Sequence, residues 1–335
     1  MANPTQFTVC TRCFTFNHEA YITDALKGFV SQETTFPVVS VIVDDASADH
    51  TPNQILSFYK QHFDWIEPEN ALQEETEACS TYFARHRTNT NCYFAVILLK
   101  DNHYSRGINK RPYYSRWIDH SKYVAICEGD DYWTDPKKLQ RQVEYMEQHP
   151  SCCMCSHAAL WELHDNVRKK GCDYAHECDI PTDEVIREGG YYLTTASLLH
   201  KMELDFDRPA WREAANIGDF PLQILGSLRG NLHFLPEVMC TYRYMVQGSF
   251  SDLHREWKPE YLFQKLSWMK LLDQDTKHAH RKAIYYNLFN TCYTLLYKSR
   301  SISLFPCLLA ILRSDRKVHN LKVLRQTIRS RRKAN

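Results

Sequence analysis

The chain has 335 residues, 44% of them apolar and 24% charged, enough for a sizeable core in one or two domains. Only ten glycines occur, and none falls into a GxGxxG or GxxxxGK[ST] pattern, which argues against a Rossmann dinucleotide site and a P-loop. The net charge of +1 divides unevenly: residues 296–335 carry 11 Lys or Arg and one Asp, net +10, while the remaining 30 basic and 39 acidic residues give −9.

Phe7 to Phe14 is rich in β-branched and aromatic residues and predicts a strand. Asn17 is placed to cap a helix in which Tyr21, Ile22, Ala25, Leu26 and Phe29 recur at helical spacing. Val38 to Val43 is a near-continuous apolar run, the pattern of a buried parallel strand, and it stops at Asp44-Asp45. Asp49 or Thr51 with Pro52 opens a second helix with Ile55, Phe58 and Tyr59 on one face. Residues 61–92 are polar and charged and read as an excursion from the sheet.

Tyr93 to Leu99 resumes as a buried strand, and Tyr123 to Cys127 is another, leading into Glu128-Gly129-Asp130-Asp131. After Asp135 and Pro136, Leu139, Val143 and Met146 recur at i, i+4, i+7 in a further helix. Cys152 to Leu163 predicts a strand whose alternation would send Cys153, Cys155 and His157 to one face and Cys152 to the other. Residues 164–190 read as loop-rich, and the pattern turns helical from about Glu256. The alternation of strands and helices predicts an α/β domain over 1–255 and a helical, basic region over 256–335.

The opening residues lack the basic start and apolar core of a signal peptide. The thirteen cysteines are therefore expected to be reduced thiols of a cytoplasmic protein, and their spacing completes no familiar zinc site. No run of about 18 apolar residues predicts a spanning helix.

Two apolar strands each end in an aspartate pair, Asp44-Asp45 and Asp130-Asp131. Ligands of open α/β sheets bind just beyond such strand ends. One pair alone would read as turn or capping residues; two pairs at equivalent places point to chemistry. Adjacent carboxylates repel unless a cation or hydrogen-bond donors compensate. Mg²⁺ or Mn²⁺ takes one or two carboxylates and leaves positions for phosphate oxygens, which suits Asp130-Asp131 to a metal–diphosphate site without a Gly-rich loop. Asp219, between Gly218 and an apolar run, reads either as a helix cap or as a general base. Trp133 reads either as an aromatic face for a sugar or as a core anchor.

Four stretches carry a resemblance: Thr15 to Ile22, Val41 to Thr51 with Asp44-Asp45-Ala46-Ser47-Ala48-Asp49, Cys127 to Leu139 with Glu128-Gly129-Asp130-Asp131-Tyr132-Trp133, and Ile217-Gly218-Asp219. In order and spacing they resemble family 2 glycosyltransferases of the GT-A fold, in a form similar to bacterial polysaccharide-type enzymes. The resemblance spans about residues 7–251. It implies a Rossmann-like, mostly parallel sheet flanked by helices, and inverting transfer of a sugar from a nucleotide-diphospho-sugar, with UDP-sugars favoured. It implies that Thr15 and Phe16 line the nucleotide pocket, and that Asp45, supported by Asp44, accepts a hydrogen bond from the base. It further implies Asp130 at the ribose and metal, Asp131 on Mn²⁺ or Mg²⁺, Trp133 near the sugar, and Asp219 as base.

Ala46 stands where the family usually has glycine, and no His follows Tyr242-Arg243, where many relatives have one. Tyr242-Arg243 reads either as closing over the site or as a strand end with a snorkelling Arg. Arg106 and Lys110 read either as phosphate partners or as surface charge. The tail places Leu304, Leu308, Leu312, Leu321, Leu324 and Ile328 at roughly helical spacing among its basic residues. That pattern predicts either docking on an anionic membrane surface, at the inner face where a lipid-linked glycan acceptor would lie, or packing against the protein. Nucleic acid is not an expected partner. A catalytically silent sugar-nucleotide-binding module is the competing function.

Overall fold

A computed structural model describes residues 7–66, 71–163, 168–172, 174–190, 192–215, 217–246, 250–253, 259–298, 313–314 and 320–325. The chain divides into two compact units. The first comprises 1–179, 193–206 and 230–253; the second comprises 180–192, 207–229 and 254–335. The C-terminal region thus shares its unit with two earlier segments.

The first unit holds all the described strands. In chain order these are β1 (Val9–Thr15), β2 (Val38–Asp44), β3 (Ala71–Glu75), β4 (Cys79–Arg85), β5 (Cys92–Leu99), β6 (Tyr123–Ile126), β7 (Tyr132–Trp133), β8 (Cys152–Leu163), β9 (Arg168–Lys170), β10 (Cys178–Asp179), β11 (Leu199–Lys201) and β12 (Asn231–Tyr244). They form one sheet in the order β10-β12-β8-β11-β6-β1-β2-β5-β4-β3, with β7 beside β12 and β9 beside β8. The sheet is mixed. β6-β1-β2-β5 run parallel, as do β8 and β12, while β3, β4, β7, β9, β10 and β11 pair antiparallel. The polar stretch expected to leave the sheet instead extends it as the β3–β4 hairpin.

Helices α1 (Ile22–Val30), α2 (Thr51–His62) and α4 (Lys138–Gln148) cover one face, and α3 (Arg111–Ile118) covers the other. Ile42, Phe94 and Val96 join the first core with Leu26, Phe29, Ile55 and Leu139. Val41, Val43, Ala95 and Ile97 join the second with Trp117 and Ile118. Both faces of β2 and β5 are buried, which is why their sequences run apolar without alternation. Gly28 lets α1 lie against β7: a Cβ there would stand 3.0 Å from the Trp133 main chain.

Two local expectations change. Asn17 does not cap α1; Tyr21 stands at the cap, and Asn17 takes φ 55° in the preceding turn. Cys152 and Cys155 lie in the same core, because the β8–β12 register slips by one residue between Cys152 and Met154 and resets the alternation.

In the second unit, the helix α5 (Thr182–Glu188) occupies part of the stretch read as loop. The helices Asp219–Arg229, Pro259–Asp275 and Arg281–Lys298 accompany it. Phe220 packs edge-on to Trp268 at 5.7 Å, and His280 pairs with Asp183 at 2.6 Å. Most of the basic tail, including Leu304 to Leu312 and Ile328, lies outside the described residues. Among the described residues no helix is long and apolar enough to cross a membrane.

Candidate active site

The parallel register brings strand ends together. Thr15 pairs with Asp44 across β1 and β2, and Arg12 with Ile126 across β1 and β6. The turns that follow therefore share one edge of the sheet, the edge where open α/β sheets bind ligands.

The first two turns are laced to each other. Ser47 Oγ accepts the Asn17 N–H (2.8 Å), and Asn17 Oδ1 accepts the Ala48 N–H (2.9 Å). Asp49 accepts the Glu19 N–H (3.1 Å), and Glu19 accepts the His50 N–H (2.9 Å). Within this lacing Ala46 is held at φ 60°, a left-handed conformation that costs a non-glycine residue about 1–2 kcal/mol.

Asp44 and Asp45 are both buried. Asp44 accepts the Ser47 hydroxyl (2.5 Å) and N–H (3.0 Å); burial still raises its carboxyl above the usual range. Asp45 accepts the N–H groups of His103 (2.7 Å) and Tyr104 (3.0 Å) and the Lys110 ammonium (3.0 Å), closing the loop after β5 onto β2. Lys110 is thus engaged by a carboxylate, and Arg106 pairs with Asp101 at the surface. Thr15 is buried with its hydroxyl 3.2 Å from His18 Nδ1, while Phe16 is 40% exposed and presents its ring to solvent.

The third turn follows β6. The Gly129 N–H donates to the Phe14 carbonyl (2.9 Å), and a Cβ on Gly129 would stand 2.5 Å from Thr15 Oγ1. Only glycine lets this turn lie so close to β1. Glu128 accepts the Phe14 N–H (3.1 Å), and burial pushes its carboxyl up to about 7, with Arg12 opposing the rise. Asp131 is buried, and its Oδ1 accepts the Arg243 N–H (2.9 Å). Desolvation, then the adjoining Asp130, hold the Asp131 carboxyl well above its usual range. The Asp130 carboxylate accepts no hydrogen bond from a described residue, and its oxygens stay open to water or a ligand.

Two adjoining carboxylates with this little protein compensation fit a divalent cation whose other positions go to phosphate and water. Among the described residues no three His, Cys, Asp or Glu side chains are arranged to hold a metal by themselves. A cation here would therefore take the rest of its shell from water or a bound ligand.

Trp133, read from sequence as a candidate sugar contact, is 3% exposed. Its indole N–H donates to the Ala196 carbonyl (3.0 Å), and its ring meets Phe29 at 5.0 Å. That is a core position. Asp219 is half-buried at the start of its helix in the second unit, where its carboxylate accepts the Phe220 N–H (2.8 Å). Arg243 does not snorkel: it is 8% exposed on β12 and donates to the Asp130 carbonyl (3.0 Å) and to Asp24 (2.6 Å). Glu128 is the site residue that sequence reasoning passes over, and the contacts of Arg243 go beyond the open alternatives read for the Tyr242-Arg243 pair. Glu128 was signalled only by standing two residues before Asp130, and Arg243 only by the Tyr-Arg pair.

No family model matches the chain. Three uncharacterized mycobacterial proteins are 28% identical over 276 residues, covering 80% of this chain and 69% of each relative: Rv1520 and MT1570 of Mycobacterium tuberculosis and Mb1547 of Mycobacterium bovis. Among solved structures, S. aureus TarS 1–349 in complex with UDP-GlcNAc aligns with TM-score 0.60 at 14% identity, covering 91% of this chain and 79% of that one. The same fragment crystallised alone gives 0.57 at 15% identity, with coverage of 91% and 79%. GalNAc-T7 with UDP, GalNAc and Mn²⁺ gives 0.51 at 10% identity, covering 88% of this chain and 53% of that one. At these identities the likeness is one of fold: a large mixed sheet flanked by helices, the fold of GT-A glycosyltransferases.

Proposed function

We propose that the chain is an inverting, family 2 type glycosyltransferase that moves a sugar from a nucleotide-diphospho-sugar to a hydroxyl of a glycan or lipid-linked glycan. The observation that carries this reading is the shared strand-end edge of Thr15, Phe16, Asp44, Asp45, Asp130 and Asp131 in a fold of the GT-A type. The UDP-GlcNAc named in the TarS complex and the UDP named in the GalNAc-T7 complex favour a UDP-sugar.

Phe16 would offer a face to the base, and Asp45, held rigid by three donors, would accept one further hydrogen bond from it. Asp130 and Asp131 would hold Mn²⁺ or Mg²⁺, which when bound neutralises the departing diphosphate. Asp219 takes the proton of the acceptor hydroxyl as that oxygen attacks the anomeric carbon. The bond from that carbon to the phosphate oxygen breaks, and the nucleoside diphosphate leaves with the electron pair. Such a base contributes about 10²–10⁴ in rate. The basic tail docks the enzyme on an anionic surface, where a lipid-linked acceptor would be presented.

Nucleoside diphosphate release across a panel of sugar nucleotides with Mn²⁺ or Mg²⁺ tests the reading. Asp219→Asn should bind donor and fail to transfer; Asp131→Asn should weaken metal-dependent donor binding. Near-normal transfer by Asp219→Asn would remove the base assignment, and donor binding without turnover would favour a silent binding module.

A further inference from the structure

The Asp130–Asp131 turn is gripped by one residue more than a hundred positions further along the chain. The Arg243 main-chain N–H fixes Asp131 Oδ1 at 2.9 Å, and its Nη1 takes the Asp130 main-chain carbonyl at 3.0 Å. The rest of the guanidinium is anchored elsewhere. Nη2 donates to Asp24 Oδ2 on α1 at 2.6 Å, and Nε lies 3.7 Å from Glu162 Oε2 on β8. The Tyr132 and Tyr21 rings lie 4.5 and 5.1 Å from its central carbon. A planar fork of five donors can hold three elements at fixed angles, which an ammonium cannot.

What Arg243 leaves alone matters as much. Neither of its contacts to the turn uses the Asp130 carboxylate, and Asp131 keeps one oxygen that accepts no hydrogen bond from a described residue. The guanidinium pairs with the Asp24 and Glu162 carboxylates and meets the turn only at the Asp130 main-chain carbonyl. We infer that Arg243 is a positioning residue: it orients the Asp130–Asp131 pair so that the open carboxylate oxygens face a divalent cation. This rests on the metal-dependent donor site proposed above.

Mn²⁺ binding to the full chain, followed by loss of the free-ion electron paramagnetic signal with and without UDP, tests it independently of turnover. Arg243→Lys keeps the charge and loses the fork; it should weaken Mn²⁺ affinity in the presence of UDP by about tenfold or more. Asp24→Asn, at a half-exposed position on α1, should shift affinity the same way by a smaller factor. Excess Mn²⁺ should restore kcat in both variants. Wild-type affinity in a folded Arg243→Lys protein overturns the inference and leaves the metal site standing. If Arg243→Lys does not fold, Asp24→Asn decides: unchanged affinity there overturns the inference. A wild-type chain that takes up no Mn²⁺ with UDP overturns both.

Discussion

Lys138, the first residue of α4, is fully buried. Its ammonium donates to Gln142 Oε1 at 2.8 Å and lies 4.3 Å from the centre of the Trp133 ring. Burial lowers its pKa from 10.5 to about 8. That difference corresponds to about 3 kcal/mol. Between pH 8 and 10.5 the folded chain binds fewer protons here than the unfolded one, so stability rises with pH across that window. The gain is complete above 10.5 and lost as pH falls through 8. Lys138→Met removes the titration. It also leaves the Gln142 oxygen unpaired, at about 1–3 kcal/mol, and forfeits a cation–π contact of about 1 kcal/mol. At pH 7 these changes nearly cancel. By pH 10 the variant should have lost about 2–3 kcal/mol relative to wild type. Urea unfolding of both proteins at pH 7, 8, 9 and 10, followed by circular dichroism, measures the difference. Other titrating thiols and Lys265, which is also lowered to about 8, occur in both proteins and cancel. A difference that stays flat from pH 7 to 10 would refute the buried, weakly compensated cation.

Two substitutions at the strand-end turns have opposite signs. Ala46→Gly relieves a φ of 60° and should stabilise the protein by about 0.5–1 kcal/mol, after the entropy that glycine adds to the unfolded chain. A higher melting temperature with unchanged donor affinity is the expected result. Gly129→Ala would push a methyl to 2.5 Å from Thr15 Oγ1 and 2.6 Å from its Cβ, and should cost about 1–3 kcal/mol. Because that strain falls between β1 and the Asp130–Asp131 turn, sugar-nucleotide affinity measured by calorimetry should fall with it.

How legible these features are from sequence follows from where each side chain points. β1, β2, β5 and β6 announce themselves because both faces are buried, and α4 does so because Leu139, Val143 and Met146 fall on one face. β3 hides because it is an edge strand whose Gln73, Glu74 and Glu75 are exposed, so no alternation survives. The Cys152–Cys155 pattern fails at a register slip, which depends on β12 some 80 residues later. The partners of Arg243 are illegible for the same reason: its hold on Asp131 spans 112 residues, so the sequence offers the Tyr242-Arg243 pair without saying what it touches. The Trp133 environment is equally long-range, since its indole partner is the Ala196 carbonyl.

The scarcity of glycine acquires a physical meaning at this edge of the sheet. Five described non-glycine residues have positive φ, and three of them, Asn17, Ala46 and Met245, stand in the turns after β1 and β2 and just beyond Arg243. Such conformations persist only where surrounding contacts over-determine them. Here the contacts are specific: Asn17 is bound through its N–H and its side chain to the Ala46 turn, Asp44 clamps that turn through Ser47, and the Met245 N–H is held by Ser251 Oγ at 2.8 Å. Ala46 and Met245 carry real strain, while Asn17 belongs to a residue type that adopts this conformation readily, and all three stand near one set of carboxylates. The His103, Tyr104, Lys110 and Arg243 donors hold Asp45 and Asp131 in place, so a ligand there would lose less binding energy to ordering them. A glycine-rich loop would buy phosphate contact with mobile backbone. This chain instead fixes carboxylates on rigid turns, as the cation-assisted recognition proposed above would need.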